Sequence, residues 1–228
     1  MLGNEVWRTG PSQDSERLAG WLTAFGVILT LWTVFLPWPY PVVIALNALA
    51  PWLAVFAVWR WDVSLADKDD WGSRPQIAAL WLAPCLILVV RGQDHHIVDG
   101  MFLATLGLAA TLWIAMLLAD VGARRWSVAL LLTLPCLAWA WGGLAYLDVG
   151  LDRGHYTRVA ARVLESSDVG RGLPTMTVMP LTPVKPGHFA SIKISRKTFA
   201  LYPPGSTTCL EIHEGFLGWR YLYVVDCL

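Results

Sequence analysis

Five apolar runs, Leu18–Leu36, Val42–Trp59, Gln76–Val90, Met101–Ala119 and Trp126–Leu147, fill most of the first 147 residues, and no Asp, Glu, Lys, Arg or His interrupts any of them. The first, at ~1.5 Å per residue, reaches about 28 Å, close to the ~30 Å hydrocarbon core of a bilayer. In lipid a backbone must satisfy its own hydrogen bonds, so such runs are expected to be helices. From Asp148 onward the composition turns polar and the apolar period drops to two. The sequence therefore predicts a membrane α-helical bundle of five transmembrane helices followed by a small antiparallel β domain, a sandwich or an open barrel. The expected divisions are an N-terminal tail over 1–17, a transmembrane part over 18–147 and the β domain over 148–228.

The chain has 228 residues, 56% hydrophobic and 15% charged, against ~25% charged in soluble domains. Net charge is zero, so no global field draws nucleic acid, and no long basic cluster supplies one locally. Tryptophans cluster at or near run ends, among them Trp7, Trp21, Trp38, Trp59, Trp61, Trp71, Trp126 and Trp141. There an indole buries its ring and keeps its N–H wet. The polar lead before the first run mixes Glu5, Arg8, Asp14, Glu16 and Arg17 and no small-residue cleavage site follows the run, so the run is expected to be retained as a span rather than removed as a signal peptide.

Basic residues orient the spans. With the N-terminus in the cytoplasm, that side carries Arg8, Arg17, Arg60, Lys68, Arg74, Arg124 and Arg125, against Arg91, Arg153, Arg158 and Arg162 opposite. The bias favours this orientation, and five spans then place the β domain outside the cytoplasm, in the periplasm of a bacterium. Gln76–Val90 is the short run, covering only ~22 Å. Ser73 and Pro75 read as its N-cap and first-turn proline. If it did not span, everything after it would change sides.

Pro51, Pro84 and Pro135 stand inside three of the runs and free the carbonyls of Asn47, Leu80 and Leu131. Asn47 is the most polar side chain in any run and is expected to hydrogen-bond across to another helix. Pro84-Cys85-Leu86 and Pro135-Cys136-Leu137 repeat a pattern in two runs of the same direction, which puts Cys85 and Cys136 at similar depth. Paired thiols suit a soft metal but are more commonly small apolar fillers, and Met101 and Met116 sit towards the ends of their run, away from that depth. Intramembrane ionisable groups, which proton-coupled carriers use, do not occur in the runs. Ala50/Ala54 and Ala138/Gly142, spaced four apart, fit close helix contact.

In the polar third, Val159/Ala161/Val163, Ala190/Ile192/Ile194 and Trp219/Tyr221/Tyr223/Val225 alternate with polar neighbours, and Val184–Gly187, Pro203–Ser206 and Glu214–Gly218 carry turn chemistry. Four to six short strands are expected. Cys209 and Cys227 flank the last hairpin. A disulfide between them would enclose 17 residues and contribute on the order of 3 kcal/mol by loop closure in an oxidising compartment. A symmetric hairpin sets Cys209 opposite Tyr223, so the bridge requires Cys227 to curl back.

All histidines, His95, His96, His155, His188 and His213, fall on the same predicted side. His95, His96 and Asp99 are the densest candidate metal ligands, completed by His155 or His213 if a metal binds. The plainer reading is a polar hairpin whose Asp99 caps the next helix. Ile97 stands where an Asp-His-His acyltransferase signature needs Cys, and neither a phosphate loop nor a nucleophile elbow occurs. No cofactor is called for by the sequence, a metal ion being the one candidate.

The segments Asp152–Val163, with Tyr156-x-x-Val159, and Cys209–Trp219, ending at Cys227, resemble the tails of bacterial multi-pass inner-membrane proteins whose activity is not known. The resemblance implies an architecture of helices first and a small extracytoplasmic β domain after them, and no activity. The functional expectation is an integral membrane protein, non-enzymatic, whose β domain binds a protein partner or senses a signal. The alternatives are a small solute or metal carrier built on the proline-broken spans and an outer-face metal-dependent enzyme. The expected surroundings are a lipid bilayer and a protein partner, not nucleic acid.

Overall fold

A computed structural model describes residues 13–36, 38, 40–61, 63–65, 74–92, 96–97, 100–120, 122–152, 154–168, 173–181 and 190–227. The chain forms two compact units, Met1–Gly92 with Phe102–Leu144, and Gln93–Met101 with Ala145–Leu228.

The first unit is helical: α1 (Gln13–Phe35), α2 (Tyr40–Arg60), α3 (Ala78–Gly92), α4 (Phe102–Ala119), a 3-10 turn at Gly122–Arg124, and α5, which runs from Trp126 to Gly150 and so passes into the second unit. Four of these, α1, α2, α4 and α5, are long and apolar enough to cross a membrane, and α3 is shorter. Large apolar side chains such as Trp21, Trp38, Trp59, Leu103, Leu118, Trp126 and Leu131 point outward. In water that surface would be an extensive apolar patch; against lipid it is ordinary. The expected start of the third run is corrected. Pro75 does not open the helix, because the chain around it is held in a tertiary pairing: Ser64 N–H donates to Pro75 O (3.1 Å) and Ile77 N–H to Ser64 O (3.1 Å). Ser73 lies outside the described residues.

Close backbone approach sets the packing. A Cβ on Gly26 would meet the Ala79 carbonyl oxygen at 2.5 Å, and one on Gly142 would strike the Leu88 carbonyl. Both contacts are to α3, which packs against α1 and α2 and meets α5 at Gly142. Indole donors satisfy main-chain carbonyls elsewhere, Trp139 Nε1 to Ala48 O (3.1 Å) and Trp113 Nε1 to Ala129 O (2.8 Å). At the end of α4 the buried Asp120 carboxylate accepts from Ser64 Oγ (2.8 Å), Leu65 N (2.8 Å) and Gly122 N (3.0 Å). A buried charge is tolerated only with such partners.

The second unit is one antiparallel sheet, ordered β1-β6-β5-β2-β3-β4. Its strands are β1 (His96–Ile97), β2 (Tyr156–Ser167), β3 (Thr175–Pro180), β4 (Ala190–Lys193), β5 (Thr207–Glu214) and β6 (Arg220–Val225), with a short helix α6 (Arg196–Leu201) between β4 and β5. The two edge strands meet where His96 Nε2 donates to Lys193 O at 2.9 Å. The sheet therefore curls towards an open barrel, the second of the two expected forms. Ala161, Val163, Met176, Val178, Ile192, Ile194, Leu210 and Leu222 fill the concave side, with Phe199 and Tyr202 from the α6 region packed on them. Ser195 caps α6, its Oγ accepting from Thr198 N at 3.0 Å.

Cys209 and Cys227 form a disulfide. The hairpin register differs from the symmetric expectation: Cys209 faces Val225 and Glu214 faces Arg220. Cys227 thus lies only two residues past the position opposite Cys209, and the bridge needs a small diagonal reach.

Candidate functional site

Alternation on β2, β5 and β6 sends one set of side chains into the core and the other to the opposite face. The register aligns that second set into two rows. Tyr156 stands opposite His213, which stands opposite Tyr221; Arg158 stands opposite Glu211, which stands opposite Tyr223. Residues directly opposite on one face are within reach of each other, and here Tyr156 with His213, His213 with Tyr221 and Arg158 with Glu211 are in contact. The His213 ring stacks on Tyr221 (4.9 Å, 14°), lies 5.3 Å from Tyr156 and meets Tyr223 edge-on at 5.5 Å. Arg158 Nε donates to Glu211 Oε1 at 2.8 Å, and its guanidinium lies 5.6 Å over the Tyr156 ring.

Asp152, between α5 and β2, ties the first row together. Its Oδ2 accepts from Tyr221 OH (2.5 Å) and His213 Nδ1 (3.2 Å), and its Oδ1 from Gly154 N (3.1 Å). Burial raises the affinity of Asp152 for a proton, but the hydrogen bonds from Tyr221, Gly154 and His213 outweigh it and hold the carboxyl below its usual value. Burial first, and then the bond to the Asp152 carboxylate, push the Tyr221 phenol up.

The ring contacts and hydrogen bonds tie His213 and its tyrosines to one another. His213 is fixed by a carboxylate at Nδ1, as a catalytic imidazole would be. Its Nε2, however, is buried, with Glu211 Oε2 at 3.6 Å and three tyrosine rings around it. Outward, the face offers the half-exposed Tyr156, Arg158 and Tyr223.

A pH dependence follows. Asp152 titrates lower in the folded chain than unfolded, so its contribution is present above ~4 and is lost as pH falls through the folded value. Tyr221 titrates higher in the folded chain, so its contribution is complete below ~10 and is lost as pH rises beyond it. Tyr221→Phe removes the donor to a charged acceptor and is expected to cost about 1.5–3 kcal/mol near neutrality, and to flatten both flanks. Melts of the full chain in detergent across acid and alkaline pH measure this; unchanged flanks in the variant would show that the Asp152–Tyr221 bond does not form in solution.

A second end of the hairpin is held by Asp148, in the last turn of α5. Its main-chain carbonyl accepts from Phe216 N (2.8 Å) and its Oδ1 from Leu217 N (2.7 Å). Gly215 lies against this carboxylate, with no room for a Cβ.

The residues singled out in the sequence are placed as follows. Asn47 is buried and its Nδ2 donates to Thr33 Oγ1 (2.8 Å) on α1 and to Val43 O (2.7 Å). Cys85 and Cys136 are buried thiols. Cys136 Sγ lies 3.9 Å from Met116 Sδ, which corrects the expectation that no Met reaches that depth. His96 sits at the barrel seam, while His95 and Asp99 lie outside the described residues. Among the described residues no three of His, Cys, Asp and Glu group as metal ligands. His213 belongs to the tyrosine row, a role visible only once the register is known. No protein-family model, curated protein or solved structure matches the chain.

Proposed function

We propose that this is a five-span membrane protein, N-terminus in the cytoplasm, whose β unit lies outside the cytoplasm and binds a protein partner. The binding surface is the face built by Tyr156, Arg158, Glu211 and Tyr223. Its support is the pair of cross-strand rows: tyrosine and arginine dominate protein contact surfaces because they bury much area with few rotatable bonds to freeze. Here Asp152, His213 and Glu211 already hold them in place, so little order is lost on binding.

The short α3 counts as a span in this reading. The residues just before it pair with Ser64, which Asp120 holds at the C-terminal end of α4, and those after it lead to the start of α4. This tie of its start to the C-terminal end of α4 supports an α3 that runs across in the direction opposite to α4. The α3–α4 connection then shares a side with the chain after α5, which agrees with β1 pairing to β6.

Site-specific photo-crosslinking in the native membrane tests the surface. A crosslinker at Tyr156 or Tyr223 is expected to give a discrete adduct that Arg158→Glu removes, and one at the exposed Leu201 none. Equal labelling from all three positions, or none from any, would end the proposal.

A further inference from the structure

Two sulfur atoms meet inside the bundle and a third, that of a buried cysteine, stands on the helix packed beside them, independently of the β-unit face. Cys136 on α5 has its Sγ 3.9 Å from the Met116 Sδ on α4. Cys85 on α3 stands one turn before Leu88, the residue against which Gly142 of α5 packs, so it lies on the helix face-to-face with the one that carries Cys136. All three residues are buried. Met116 enters the group although it sits one turn from the end of α4, because a helical Met leans back towards the N-terminus of its own helix. Cys136, on a helix running the opposite way, leans to meet it. Each cysteine follows a proline, Pro84 or Pro135, whose ring interrupts the ladder and lets the helix open locally.

We propose that Cys85, Met116 and Cys136 bind Cu(I). Thiols and a thioether select this soft ion, whereas harder divalent ions bind thioethers poorly. Three metal–sulfur bonds of ~2.3 Å at trigonal angles set the sulfurs about 4.0 Å apart, and the Cys136–Met116 separation already matches. Loading releases both thiol protons to water: two S–H bonds break, two S–Cu bonds form, and the neutral Met116 thioether donates the third bond. The bound group then carries one net negative charge, spread over two soft thiolates and the ion. No change of oxidation state is involved.

The test uses the full chain in detergent, loaded with Cu(I) under ascorbate, which leaves disulfides intact, and then freed of loose metal by a competing chelator. Wild type is expected to retain about one copper per chain with an all-sulfur shell in X-ray absorption. C85A/C136A is expected to retain none, and Met116→Leu to lose one sulfur scatterer and yield its copper to less chelator. A wild-type chain that retains no copper, or C85A/C136A retaining as much as wild type, overturns the proposal. Should the double variant fold poorly, the wild-type absorption spectrum decides: a first shell of nitrogen or oxygen rather than sulfur also overturns it.

Discussion

Replacing Cys209 and Cys227 by serine is expected to cost about 3 kcal/mol, the loop-closure contribution of a bridge enclosing 17 residues. For a unit of this size that corresponds to a melting shift of roughly 12–24 °C. The cost is high because the unit has little else to hold its end. Its core is one sheet with a small apolar filling, and domains near this size depend on such staples. β6 has β5 along one edge but only the two-residue β1 on the other. Past β6, the tail is tied by the Tyr202–Asp226 hydrogen bond and by Thr208 Oγ1 to Val225 O (3.2 Å). Without the bridge, the end of β6 is expected to fray and carry Tyr223, a member of the proposed contact face, with it. Hydrogen exchange of the full chain in detergent reads this directly. Unaltered protection over Tyr221–Val225 in C209S/C227S would refute the assigned role. Free thiols at both positions in protein from its native membrane would refute the extracytoplasmic placement as well.

The sequence makes the helices readable because uninterrupted apolar length is a local property. Their ends are less so. α1 starts at Gln13, with Asp14 and Glu16 in its first turn, since carboxylates are favourable at a helix N-terminus and apolar content alone does not see them. The start of α3 is displaced from the Ser73–Pro75 signal by the pairing of Ser64 with Gln76, a contact no local rule anticipates. β1 has no period to detect. α6 follows an alternating strand without a break, and only Ser195 with Thr198 three residues on hints at it.

The candidate site shows the same division between what is local and what is not. Period two correctly sets Tyr221 and Tyr223 on one face. The partner rows, however, depend on where the hairpin closes. A symmetric turn would set His213 against Trp219, whereas the observed register moves every pair by two residues and sets it against Tyr221. A shift of two preserves the face and changes each neighbour, so the face is legible and the tyrosine–histidine stack is not. Asp152 escapes notice for another reason: it sits in a connection, where an aspartate reads as a turn residue until its partners are known. Met116 escapes because depth along a helix is not the depth its side chain reaches.

Gly142→Ala is expected to destabilise the bundle by about 3 kcal/mol, the upper part of the range for overpacking, whereas the neighbouring Gly143→Ala should be neutral or stabilise by up to ~1 kcal/mol. The two changes add the same methyl group to the same helix one residue apart, so propensity and hydrophobicity cancel between them. What differs is the space available. At Gly142 the added carbon runs into the Leu88 carbonyl and lies 2.8 Å from Val89 N, while at Gly143 nothing lies within 4 Å. Backbone atoms cannot turn aside as a side chain can, so α5 and α3 must separate. That separation would also widen the gap between Cys85 and Cys136, on the same two helices, and weaken any ion held there. Heating detergent-solubilised protein and following the monodisperse fraction by size exclusion gives the comparison. Equal stability of the two variants would mean that α3 does not lie against α5 in this register, and would remove the support that this contact gives both to α3 as a span and to the sulfur cluster.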